Sequence, residues 1–218
     1  MSNNTKSNFN NKLYFALILS LFMPTIYSTL RVYLINSIPS TDGLSISSHM
    51  EWFDLINEVI QAFLIIPLYY VINKARSNIE KFKERIVLSG LVVFILYFIF
   101  SVGVYLFSEN MVSIMNVSDN IKSDVIHYIQ LENIAFIFGV ISSFANTIFI
   151  ALNKEKYIYF ILLTRVVLSC IGDLYLIPTF GVNGIAYTNI CINLFILILC
   201  IIFYIEKIYY PRNFLLSV

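Results

Sequence analysis

Six apolar runs, each about 20 residues long and so able to cross the hydrocarbon core of a bilayer as a helix, fill most of this chain. They cover residues 13–35, 52–73, 86–107, 128–152, 157–177 and 181–204. A soluble chain of the same length needs long polar loops and amphipathic helices, with charged residues at about a quarter of the total. Here they are 12%. The expected fold class is therefore an all-α integral membrane protein with six transmembrane helices. The membrane domain spans residues 13–205, between a polar tail at 1–12 and a second tail at 206–218. The first run is too long for a signal-peptide core and has no A-x-A-like cleavage site, so it counts as a span. Pro24 is a kink position within it.

Charge distribution sets the expected orientation. Lys6, Lys12, Lys74, Arg76, Lys81, Lys83, Arg85, Lys154, Lys156, Lys207 and Arg212 fall on one side of an alternating six-span path, and Lys122 alone on the other. Because cytoplasmic loops concentrate Lys and Arg, both termini are expected in the cytoplasm of a multi-pass cell-membrane protein. The other two basic residues, Arg31 and Arg165, lie inside spans.

A carboxylate at membrane depth costs about 2.5–3.5 kcal/mol on insertion scales, so each one asks for a partner or a function. Glu51, Asp54, Glu58 and Gln61, spaced i, i+3, i+7, i+10, form one stripe on the second helix. Arg31 lies at the depth of Glu51 and Asp54, and either pairs with one of them or snorkels outward. On the fourth helix Glu132, Gly139, Ser143 and Asn146 share a face, with Ala135 and Ser142 beside them. Small residues in line are how membrane helices approach one another. Glu132 needs a cation, and Arg165 is the expected partner in a structural ion pair, their backbones roughly 12 Å apart in depth.

Asp173 is left without a cation of its own, one turn beyond Ser169. It reads either as an acid that binds a proton or Na⁺, or as an interface residue capping the turn at Pro178. The formal excess of three acids at membrane depth suits protons, sodium or organic cations. Cys170, Cys191 and Cys200 form no C-x-x-C pair and read as small core residues. A phosphate-binding G-x-x-x-x-G-K-[ST] loop and an H-E-x-x-H motif are both absent, and no Ser/His/Asp set shares a depth. The expectation is therefore a protein that is not an enzyme, carries no cofactor and binds no nucleic acid.

The passage from the basic turn Ala151-Leu152-Asn153-Lys154, through Asp173 and Ile177-Pro178, to Phe180-Gly181-Val182-Asn183-Gly184-Ile185-Ala186-Tyr187-Thr188 resembles one half of a multidrug and toxic compound extrusion (MATE) transporter. The wider superfamily of that family includes lipid-linked oligosaccharide flippases. The likeness covers roughly the last third of the chain, and Pro24 is similar to the family's proline in the first span. It implies a twelve-span fold of two six-span lobes with cation-coupled alternating access, of which this chain is one lobe. The second lobe would be a parallel homodimer partner or another six-span chain. In the family's amino-terminal cation site an Asn-x-x-x-Asp pair lies on the fifth span. Asp173 matches its acid, Ser169 stands in the asparagine's place, and Asn146 or Ser143 is nearest to the asparagine of the fourth span. An aspartate late in the first span is missing.

The resulting expectation is a lobe of an H⁺- or Na⁺-coupled antiporter that exports small organic cations across the bilayer. Asp173, Ser169, Asn146, Glu58 and Glu132 are its cation-coupling or substrate residues, with Na⁺ at Asp173 as the candidate metal. The alternatives are a flippase for anionic lipid carriers, and a truncated lobe or assembly partner that transports nothing.

Overall fold

The computed structural model describes residues 11–37 and 42–206, which form six α-helices. These are α1 (Asn11–Asn36), α2 (Gly43–Lys74), α3 (Ile79–Ile114), α4 (Lys122–Ala151), α5 (Glu155–Phe180) and α6 (Asn183–Tyr204). Five of them, α2 to α6, are long and apolar enough to cross a membrane. Most of the expected amino-terminal tail, and all of the carboxy-terminal tail except Glu206, lie outside the described residues.

The helices extend beyond the apolar runs. The gap between the third and fourth apolar runs shrinks, because α3 continues to Ile114 through Glu109 and α4 begins at Lys122. Likewise most of the basic segment Lys74–Arg85 is helical, leaving residues 75–78 as the turn. Asn78 sets the start of α3 by accepting hydrogen bonds from the Glu80 and Lys81 amides, each at 3.1 Å, which satisfies donors that a helix start otherwise leaves orphaned. The turn between α4 and α5 depends on Asn153, whose φ of 53° lies in the left-handed region that asparagine tolerates better than most residues. From there the Lys154 amide donates back to the Phe149 carbonyl at 2.9 Å.

Of the five helices α2 to α6, α4 is the most enclosed and α2 the least. α4 packs on α3, on α2 and most extensively on α6; α6 packs in turn on α5, and α5 on α1. Contact between α4 and α5 is slight because α6 lies between them, and α1 meets α2 over only a short stretch.

Three apolar clusters divide the bundle by depth. At the end carrying the α1–α2, α3–α4 and α5–α6 connections, Ile35, Phe53, Val112, Ile129, Ile177 and Ile185 pack together. At the other end Ile72, Phe82, Tyr97, Val140 and Phe144 join α2, α3 and α4. Beside them Ala16, Phe149, Ile158, Ile192 and Ile196 join α1, α4, α5 and α6. Residues 31, 132, 165, 173, 189 and 193 fall between these ends and form a polar layer, buried at Glu132, Asp173 and Asn193 and half-buried at Arg31, Arg165 and Asn189.

The α5–α6 hairpin fixes the height of that layer. Gly181 ends α5 with φ 61°, a conformation open to glycine and costly for most residues. At Gly184 a Cβ would lie 2.3 Å from the Leu176 carbonyl oxygen. Gly184→Ala is therefore expected to push α6 off α5 and to destabilise the chain by about 1–3 kcal/mol. An unfolding midpoint in detergent equal to that of the parent chain would contradict this close approach.

Candidate functional site

Arg31 is the centre of the layer. It reaches from α1 to α5, where Nε donates to Asp173 Oδ2 at 2.6 Å and Nη2 to Asp173 Oδ1 at 3.4 Å. Nη2 also donates to Asn189 Oδ1 on α6 at 2.6 Å. The guanidinium carbon lies 5.1 Å from the centroid of the Tyr27 ring, so a cation–π contact occupies its remaining face. Asp173 is 0% exposed, and the Arg31–Asp173 pair is the salt bridge found among the described residues.

Asn189 extends the network across the bundle. Its Nδ2 donates to Glu132 Oε1 on α4 at 2.5 Å, so one amide side chain binds a guanidinium through its oxygen and a carboxyl group through its nitrogen. The other carboxylate oxygen of Glu132, Oε2, is buried without a hydrogen-bond partner. One turn further along α6, Asn193 repeats the arrangement. It accepts from Arg165 Nη1 at 2.9 Å and donates to the Ala135 carbonyl at 3.0 Å. Gly139 leaves the room for this, since a Cβ there would sit 3.3 Å from Asn193 Nδ2.

Several expectations are corrected by this geometry. Glu132 and Arg165 do not form an ion pair: α6 separates α4 from α5, and its two asparagines take the partners that the acid and the arginine would have given each other. Arg31 turns inward to Asp173 rather than to Glu51 or Asp54, because α1 packs on α5 far more than on α2. Asp173 is thus neither unpaired nor an interfacial cap.

The acid excess is also differently placed. Glu51, Asp54 and Glu58 are exposed, and the buried polar residue of that helix is Asn57. Asn57 Oδ1 accepts from the Tyr97 hydroxyl of α3 and from Gln61 Nε2.

Of the other expected site residues, Ser169 is buried one turn from Asp173 on the same helix. Asn146 does not join them. It lies 14 residues beyond Glu132 on α4, about 21 Å along the axis, with its Oδ1 buried and unpartnered. Glu132, Ala135, Gly139 and Ser142 do share the buried face of α4. Among the described residues no group of three or more His, Cys, Asp or Glu is placed to hold a metal ion. The cysteines are free, and Cys191 is exposed rather than packed in the core.

Asn189 and Asn193 were not singled out from the sequence. The signal was available: two asparagines at i and i+4 in an apolar run share one face of a helix, and amides at that depth must find partners.

Five membrane-length apolar helices with polar side chains buried between them define a multi-pass membrane protein. No family model matches the sequence, and no curated protein matches it. The structure is, however, similar to one described as the outward-facing conformation of a multidrug resistance MATE family transporter of the MOP superfamily, with a TM-score of 0.79 at 13% identity. The match covers 96% of this chain and 49% of that one. The fold is that of one half of such a transporter, and the chain spans about half the length of the protein it resembles.

Proposed function

We propose that this chain is one six-span lobe of a cation-coupled antiporter that exports small organic cations from the cell. The second lobe is another copy of the chain or a separate six-span lobe, and α1 serves as the sixth span. The fold it shares with half of a MATE transporter supports this reading, and the observation that carries it is the exposed face of α2. Glu58 sits near the middle of this 32-residue helix, more than about 20 Å from either end, and it is exposed together with Asp54 one turn away.

Carboxylates at that depth are too costly to leave in lipid. A second lobe set against this face encloses them in a water-filled path, where their charge attracts cations. Basic residues near the termini and even-numbered connections support a cell-membrane protein with both termini in the cytoplasm. The coupling ion, H⁺ or Na⁺, acts at the buried layer of Asp173, Ser169 and Glu132.

The test is reconstitution of the full chain into vesicles and measurement of fluorescent organic-cation efflux against an imposed proton or sodium gradient. Asp173→Asn is expected to lower ion-driven efflux by about 10-fold or more, within the usual span of a coupling free energy. Undiminished coupling in that variant would sink the assignment. The second reading, a flippase for anionic lipid carriers, would use Arg165, which is held by Asn193 and forms no salt bridge among the described residues. An anionic-lipid tracer in the same vesicles separates the two readings, and a strictly monomeric, inactive particle excludes both.

A further inference from the structure

Two carboxylates are buried in the polar layer, and their surroundings differ. Asp173 has both oxygens directed at the Arg31 guanidinium. Glu132 is 3% exposed and has one oxygen held by the Asn189 amide, while the other is buried and makes no hydrogen bond of normal geometry, with the Tyr128 phenol as the polar group beside it. Among the described residues the cation acting on it is Arg31, which Asp173 already engages, and Arg165 does not reach it. An ionised carboxylate with an orphaned buried oxygen is among the costliest arrangements a protein interior holds, whereas a neutral carboxyl group there costs far less.

From this geometry we infer that Glu132, and not Asp173, is the residue that takes up and releases a proton in this lobe, with Asp173 serving as the fixed counter-ion of Arg31. A proton on Oε2 leaves Oε1 as a carbonyl oxygen, which still accepts from Asn189, so the cross-link between α4 and α6 survives both states. A metal ion is a poor occupant, since hard cations need several oxygen ligands and no multi-acid group is placed to supply them among the described residues.

The groups facing Glu132 are Arg31 on α1, Asp54 on α2, the Tyr128 phenol on α4 itself, Asp173 on α5 and Asn189 on α6. Asp54 is the exposed one. As the exposed acid that acts electrostatically on Glu132, it marks the side through which a proton from water reaches the layer. When Glu132 is ionised it competes with Asp173 for Arg31, whose Nη2 already bonds the Asn189 amide that bridges them. Proton occupancy therefore changes how tightly α1 is drawn toward α4 and α6.

This inference rests on the proposed coupled lobe for its role, yet it is measured without transport. The full chain in lipid nanodiscs is titrated in pH while the infrared carbonyl stretch of a carboxylic acid outside water is recorded. The expected result is a pH-dependent band that shifts on isotopic labelling of glutamate carboxyls and not of aspartate carboxyls. It is lost in Glu132→Gln, whose amide oxygen keeps the bond from Asn189, and retained in Asp173→Asn.

A band that shifts with the aspartate label, persists in Glu132→Gln, or is absent from the parent chain overturns the inference. The labelled parent chain decides the matter even where a variant fails to fold. A Glu132 band without coupled efflux overturns the transport reading and leaves the proton site standing, and coupled efflux without the band does the reverse.

Discussion

Asp173→Leu is expected to destabilise the chain by about 3–5 kcal/mol, the usual cost of removing one partner from a buried ion pair. The reason is what remains. Arg31 has a side chain only 15% exposed, and without Asp173 its guanidinium touches the uncharged Asn189 oxygen and Tyr27 ring, with the Glu132 carboxyl still acting on it from beyond Asn189. Most of the loss is the penalty for a stranded cation rather than the intrinsic worth of the pair, and this separates two outcomes.

Combining Arg31→Met with Asp173→Leu removes both charges and is expected to recover most of the stability, because apolar replacements of a whole buried pair are often neutral or better. Chemical or thermal unfolding in detergent measures all three variants. A single variant that costs less than about 1 kcal/mol, as exposed pairs do, would show that Arg31 escapes to water.

Asn189→Leu comes next in size. It removes two hydrogen bonds to charged groups, one from Arg31 at 2.6 Å and one to Glu132 at 2.5 Å, each worth about 1.5–3 kcal/mol. Glu132 then has neither oxygen bonded, so a loss of about 3 kcal/mol or more in unfolding free energy is expected. If the cost proves no larger than that of an ordinary surface change, within about 0.5 kcal/mol, Asn189 does not bridge the two charges.

The residues of this layer differed in how far the sequence disclosed them. Arg31, Glu132, Arg165 and Asp173 stood out because each is an ionisable side chain within an apolar run, and a charge there is conspicuous whatever the packing. Asn189 and Asn193 were quieter, since a neutral amide costs less at membrane depth and interrupts the hydropathy pattern less. Asn57 was overshadowed by Glu51, Asp54 and Glu58, whose spacing marks a common face without saying whether that face turns inward. Here it is Asn57 that turns inward, toward Tyr97.

Sequence by itself determined the helices, their order and their approximate limits, because a segment that must shed water satisfies its backbone hydrogen bonds internally and apolar length records that requirement. It also determined the tight α5–α6 connection, since Gly181 and Gly184 answer to backbone geometry over a few residues. Which charges meet was decided by the tertiary structure alone. Neighbours in the chain, α4 and α5, suggested Glu132 with Arg165, but α6 packs between them and α1 docks on α5. Side-chain partners depend on helix adjacency, and adjacency is set by packing over whole helical faces rather than by distance along the chain. Arg31 and Asp173, 142 residues apart, are joined for that reason.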